Sequence, residues 1–231
     1  MIVLPAYVIL NGMRAETSAY LLGIDTCGPT GSVALARLRG DAVEIVEQRE
    51  LEGRTYSATL IAAVREVLEA HQLKLDAVAG LIVVSGPGSF TGVRVGLSAA
   101  KGLAEGAEIP VVAVSRLAVL AAVSQCENAA LDAHRHEVFL RAGNREMLAG
   151  VPELAAMPAP ERAAVCDAGA AALLQSAWPA TQLLRVSAPT AADALQFGVA
   201  RFLAGGFDDV SLLDGHYLRR SDAEIFGPQP A

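Results

Sequence analysis

Along the chain, apolar and polar positions fall into an order that reads as two successive α/β series. Tyr20 to Asp25 (YLLGID) is a short apolar run ending in an acid, followed by the turn Thr26-Cys27-Gly28-Pro29-Thr30-Gly31 and a second run, Ser32 to Arg37. Two such runs across a turn-rich link predict a hairpin. Ala42 to Glu50 sets Val43 and Ile45 against Glu44 and Glu47, the alternation of a half-exposed third strand. Leu60, Ile61, Val64, Val67 and Leu68 then recur at helical spacing, with Arg65, Glu66 and Glu69 opposite. Leu81 to Ser85 (LIVVS) is a continuous, largely β-branched run, as expected of a strand covered on both faces. It enters the loop Gly86-Pro87-Gly88-Ser89-Phe90-Thr91, a helix expected from about Gly92 to Glu105, and, after Pro110, the strand Val111 to Val114. The order is β-β-β-α-β-α-β.

A second series begins after Ser115, which is placed to cap a helix over Leu117 to Val123. Ala129 to Asp132 is again an apolar run ending in Asp, followed by a turn and the strand Glu137 to Arg141, so Asp25 and Asp132 take corresponding places. A later apolar segment covers Ala163 to Cys166, and Thr190-Ala-Ala-Asp193 has the form of a capping box opening a helix through Leu203. We therefore expect an α/β fold of two similar lobes on one plan. The division reads as an extension over 1–19, an N-terminal lobe over 20–108, a C-terminal lobe over 109–221 and a tail over 222–231.

Composition narrows the class. The 231 residues are 53% hydrophobic, 19% charged and 5% aromatic, with alanine supplying roughly a fifth, which excludes a disordered chain. A net charge of −7 lacks the cationic field that drives phosphate-backbone binding, so any service to a nucleic acid is expected through a partner. Cys27, Cys126 and Cys166 form no CxxC pair and are odd in number, which fits neither a disulfide framework nor a Cys-built zinc site and points to a reducing cytoplasm. No run approaches the roughly 18 apolar residues of a membrane span. The first residues, MIVLPAYVILNGM, lack the basic flank and cleavage pattern of a signal peptide, and those ahead of Met13 read as an over-extended start or a disordered arm.

Three features carry candidate chemistry. The GPGSFTG loop hands a buried strand to a helix, a place where backbone N–H groups can hold an anion; Gly86, Gly88 and Ser89 are its candidate nucleotide-facing residues. It lacks the GxxxxGK[ST] pattern, and Pro87 removes one donor, so a tight turn that merely seats the helix reads equally well. Gly92, Gly96 and Ala100 recur every four residues on one helix face. Each mid-helix glycine costs about 0.5–1 kcal/mol against alanine, an expense offset by close approach of another backbone, either the chain's own sheet or first helix or a partner's helix. Asp25 with Thr26, and Asp132, could face a cleft and a metal-phosphate; each Asp could equally cap its own turn. His71, His134, His136 and His216 form no HExxH, HxxxH or Ser/His/Asp arrangement, so no metal site and no catalytic residue is expected.

Five strings in order, LLGIDTCGPTGSVAL, GPGSFTGVRVGLSAAKGLA, IPVVAVSRLAVLA, LDAHRHEVF and HYLRR, resemble the TsaB (YeaZ) family over Tyr20 to Arg220. The resemblance implies the actin-like, ribonuclease H-like (ASKHA) ATPase fold. It also implies a non-catalytic platform, without cofactor, in the synthesis of threonylcarbamoyladenosine in tRNA. Such a platform pairs with the metal-bearing TsaD, recruits the ATPase TsaE, meets tRNA only through the complex, uses no membrane and can pair with itself. It places the partner interface on two helices, one with Gly92, Val93, Gly96, Leu97 and Ala100 and one with Leu60, Ile61 and Val64. The HxxxH metal motif of TsaD falls here on Arg116 and Leu120, neither of which replaces an imidazole as a ligand. Two departures stand out: Arg54-Thr55-Tyr56-Ser57-Ala58 where relatives show an R-x-H-S-E-type segment, and His216 ahead of Tyr217-Leu218-Arg219, where a proline is usual two places before the Tyr-Leu-Arg or nearby. The competing reading is a self-standing enzyme of the same fold, a small-molecule kinase or a peptidase.

Overall fold

The computed structural model describes residues 19–53 and 55–219. The expected extension apart from its last residue, the expected tail, the choice between Met1 and Met13, and Arg54 lie outside them.

The described residues form two five-stranded sheets. The first contains β1 (Tyr20–Asp25), β2 (Thr30–Arg39), β3 (Ala42–Glu52), β4 (Val78–Val84) and β5 (Val111–Val114) in the order β3-β2-β1-β4-β5. β1, β2 and β3 are antiparallel neighbours, while β4 and β5 run parallel to β1. Parallel neighbours need crossovers, supplied by α1 (Tyr56–Ala70) before β4 and α2 (Phe90–Ala107) before β5. The second sheet contains β6 (Ala129–His134), β7 (Glu137–Ala142), β8 (Arg145–Gly150), β9 (Arg162–Val165) and β10 (Gln182–Arg185), in the order β8-β7-β6-β9-β10. Its senses repeat those of the first, and its crossovers are α4 (Val151–Ala156) and α5 (Ala168–Ala177). The duplication suggested by the two Asp-ended strands is thus present in the topology.

The division differs from the one read in the sequence. The first unit runs to Val119 and takes back Pro189–Gly215; the second holds Leu120–Ala188 and the segment from His216. The break falls within α3 (Arg116–Ser124), not between residues 108 and 109. Pro110 ends a crossover rather than a lobe: β5 pairs with β4 from Leu81↔Val111 to Val84↔Val114 as the fifth strand of the first sheet. α6 (Ala191–Leu203) also belongs there, burying Ala191, Ala194, Leu195, Gly198, Val199 and Phe202 in that core. Its start is the expected capping box, with Thr190 Oγ1 accepting from the Asp193 N–H and Asp193 Oδ2 accepting from the Thr190 N–H. The Ala191 N–H also donates to Ser32 Oγ at 2.8 Å, pinning the returning helix to β2.

Each unit has its own core. In the first, Leu21, Leu22, Ile24, Leu35, Leu81 and Ile82 are wholly buried. In the second, Leu140, Leu154 and Leu174 surround Trp178, whose indole N–H donates to the Leu154 carbonyl at 2.9 Å. The open edge of β5 is closed by Asp208, which accepts from the Ala113 N–H at 2.7 Å, and by Arg201, which donates to the Ala113 carbonyl at 2.9 Å. No helix of the described residues is long and apolar enough to cross a membrane.

Candidate functional site

In open α/β sheets, ligands bind beyond the carboxyl ends of the parallel strands. In the first unit that place is formed by three connections: the β1–β2 turn, the β4–α2 loop carrying GPGSFTG, and the β5–α3 junction. Asp25, at the last position of β1, and Thr26 are each only 1% exposed. Asp25 Oδ1 accepts from the Cys27 N–H at 2.8 Å, a turn closed on the aspartate's own side chain. Its other oxygen, Oδ2, accepts no hydrogen bond and faces Arg116 Nε across 3.7 Å. Arg116, 5% exposed, lies against Gly28, where a Cβ would meet its guanidinium.

The three connections are fastened to one another. The Ser89 N–H donates to the Cys27 carbonyl at 2.8 Å, the Arg116 N–H to the Gly86 carbonyl at 2.7 Å, and the Ser85 N–H to the Val114 carbonyl at 2.9 Å. Thr26 Oγ1 donates to the Gly92 carbonyl at 2.7 Å, and Tyr56 OH, arriving from α1, donates to the Gly28 carbonyl at 2.8 Å. At the start of α2, Gly92 N–H bonds Ser89 Oγ, the N-cap, and Val93 N–H bonds the Ser89 carbonyl. GPGSFTG makes the turn that seats α2.

Burial shapes the chemistry of the cluster. It pushes the Cys27 thiol well above its ordinary value, and the Asp25 charge adds to the rise against the pull of Arg116. The Tyr56 phenol is pushed up to about 12, first by burial and then by Asp25. Neither is a reactive anion near neutral pH.

The small-residue stripe is answered from within the chain. A Cβ on Gly92 would run into the Thr26 carbonyl, and one on Gly96 into Thr26 Oγ1, while Ala100 is wholly buried. Gly92, Val93, Gly96, Leu97 and Ala100 on α2, with Leu60 and Val64 on α1, all lie in the first core. These seven were expected at a partner interface; they are buried within the chain's own core, and at Gly92 and Gly96 it is the end of β1 that approaches α2 so closely that only glycine fits. Ile61, at 54% exposure, is the one of the eight expected interface residues whose side chain is open.

Asp132 belongs to the second unit and repeats the turn made by Asp25: its Oδ1 accepts from the His134 N–H, again two residues on, at 2.7 Å. Its own N–H donates to Asp167 Oδ2 at 3.0 Å, and its carboxylate packs on Gly169 at the start of α5. Both acids therefore bond the backbone N–H two residues on, Asp25 at the end of β1 and Asp132 within β6, which runs on to His134. His216 pairs with Glu146 at 2.8 Å, and Glu146 with Arg141 at 2.8 Å. Among the described residues no group of three or more His, Cys, Asp or Glu is placed to hold a metal, and Cys27, Cys126 and Cys166 form no disulfide. Sequence reasoning missed Tyr56 as a member of the cluster and saw Arg116 only as a lost ligand. The signal for both was a large polar side chain inside an apolar helical stripe.

Comparison with known proteins bears on this arrangement. Residues 46–159 match the family model described as TsaD, tRNA N6-adenosine threonylcarbamoyltransferase. The tRNA threonylcarbamoyladenosine biosynthesis protein TsaB of Haemophilus influenzae is 41% identical over 132 residues, 54% of each chain. That of Escherichia coli is 35% identical over 125 residues, 52% of each. A crystal structure of a Pseudomonas aeruginosa protein, described as similar to peptidase YEAZ, superposes with a TM-score of 0.71 at 27% identity, covering 87% of this chain and all of that one. The chain is similar to the TsaB/YeaZ proteins. Its match spans about half the length of the curated TsaB relatives. The fold is the actin-like, ribonuclease H-like one, and the duplicated sheets are its two lobes. Tyr56, where the resemblance led to the expectation of a histidine, has a structural role: its hydroxyl donates to the Gly28 carbonyl.

Proposed function

We propose that this chain is a non-catalytic subunit of the bacterial machinery that makes N6-threonylcarbamoyladenosine in tRNA. As a platform it pairs with TsaD and recruits TsaE, so that TsaD transfers the threonylcarbamoyl group to the adenosine next to the anticodon. The observation that carries this reading is the position of Arg116. An enzyme of this fold needs the carboxyl end of its first sheet open to a metal-bound phosphate. Here a buried guanidinium faces the Asp25 carboxylate, and the surrounding loops spend their hydrogen bonds on each other. Similarity to TsaB proteins supports the same reading, and the net charge of −7 favours tRNA contact through the partners, in the cytoplasm.

The partner surface in this proposal is the outward side of the two crossover helices of the first unit. Ile61 and Arg65 on α1 and Arg94 and Ser98 on α2 are exposed, whereas the buried stripe beneath them only seats the helices. Mixing the purified chain with TsaD on a sizing column with light-scattering detection tests the pairing. A one-to-one complex is expected; separate elution of the two chains, or a homodimer that TsaD does not displace, would remove the platform reading. Turnover of ATP or of a peptide by this chain alone, abolished by Asp25→Ala, would instead establish a self-standing enzyme.

A further inference from the structure

The cluster around Asp25 poses a physical question of its own. A carboxylate 1% exposed, with one oxygen accepting no hydrogen bond, is costly to hold, and such an atom calls for an explanation. Arg116 faces that oxygen from 3.7 Å, too far for a hydrogen bond but close enough for charge to act strongly in a buried setting. The same residue touches each of the three connections: its side chain faces Asp25 and lies on Gly28 of the β1–β2 turn, its N–H holds the Gly86 carbonyl of the β4–α2 loop, and it is itself the first residue of α3. From that turn, Thr26 and Cys27 reach the Gly92 carbonyl and the Ser89 N–H at the start of α2.

We propose that Arg116 is an internal ligand and a positioning residue: its side chain with Asp25 fastens the β1–β2 turn to the head of α3, whose first N–H holds the β4–α2 loop from which α2 springs, so that α2 is held ready for its partner with neither nucleotide nor metal bound. A guanidinium suits this task because it is planar, always charged and weakly hydrated, so it can be buried against a carboxylate and a glycine at once. The helix seat is then a fixed part of the fold rather than a ligand-dependent one. The proposal rests on the platform reading for the use made of α2, but the lock itself is a property of the chain alone.

Amide hydrogen exchange on the full chain separates the two. In the wild type, the amides of Ser89, Gly92 and Val93 are expected to be as protected as those of β4, and to be unmoved by magnesium with ADP or by EDTA. Faster or slower exchange there on adding magnesium with ADP would overturn the proposal whatever any variant does. Arg116→Gln should speed exchange at these three amides by about tenfold or more, over and above any general loss of stability, while amides of α5 in the second unit keep their rates. Phe202→Leu, in the same core but away from the loops, gives the pattern of a general loss. If Arg116→Gln shows only that uniform pattern, or no change, the lock is refuted. Should Arg116→Gln fail to fold, Arg116→Lys keeps the charge without the planar fork and is expected to show the same local loosening. Failure of the wild type to bind TsaD would contradict the platform reading and leave the exchange result standing on its own.

Discussion

Thr26 holds Gly92: its hydroxyl donates to the Gly92 carbonyl at 2.7 Å, and its own carbonyl occupies the space a Cβ on Gly92 would need. This contact fixes how near α2 lies to the end of β1, and it predicts opposite outcomes for glycines of one helix. Gly92→Ala and Gly96→Ala should each destabilise the chain by about 1–3 kcal/mol through overpacking, because the atoms in the way are backbone or a bonded hydroxyl. Gly102→Ala, in the same helix with open space around it, should stabilise by about 0.5–1 kcal/mol. Urea unfolding of the three variants checks the contrast. Equal effects at Gly96 and Gly102 would mean that α2 does not sit on Thr26.

Burial of Tyr56 and Cys27 predicts weakness to alkali. Both groups hold their protons more tightly when folded, so the folded chain binds more protons than the unfolded one once pH exceeds the ordinary values of these groups. Stability is fully present below the ordinary thiol value of 9.0, falls as pH rises through it, and falls further between the ordinary phenol value of 10.0 and about 12. Urea midpoints measured from pH 7 to 11 should drop above pH 9, and Cys27→Ala should flatten the first part of that fall. A wild-type midpoint flat to pH 11 would contradict the burial of this cluster.

At the edge of the first sheet, Asp208 is bonded to the Ala113 N–H and to Arg201, and Arg201 to the Ala113 carbonyl. Asp208→Ala leaves a partly buried N–H without its acceptor, and a loss of about 1–3 kcal/mol is expected. The exchange of the Ala113 amide should accelerate with it. An unchanged Ala113 amide would show that the edge is protected by other means.

Much of this was legible beforehand because it is written in local chemistry. β1 and β5 fall where the apolar runs place them, and α6 opens on the Thr190 and Asp193 capping box as read. The second unit was harder: β8 (REMLAG) has no clean alternation, and the six residues of α4 are too few to show a helical period. The lobe boundary was misplaced because Pro110 punctuates the chain locally, whereas the membership of β5 and α6 is decided by pairing with β4 and by packing on distant strands. The stripe on α2 announced a close approach but not what approaches, since glycine spacing carries no information about whose backbone lies opposite. The ion pair of Asp25 with Arg116 joins residues 91 positions apart and had no local signature.

Ile61 separates folding from pairing. Its side chain is 54% exposed, so Ile61→Arg should leave the urea midpoint of the isolated chain nearly unchanged while weakening association with TsaD by about tenfold or more. Unaltered affinity would move the partner surface off α1.

The central claim is that this chain enables a transfer it does not perform. The most direct measurement is threonylcarbamoyladenosine formed on tRNA by TsaD, TsaE and a source of the threonylcarbamoyl adenylate, with and without the purified chain. The account predicts little product without the chain, robust product with it, and none from the chain and the adenylate source when TsaD is left out. Product formed by the chain in the absence of TsaD, or full activity of TsaD and TsaE in the absence of the chain, would contradict it.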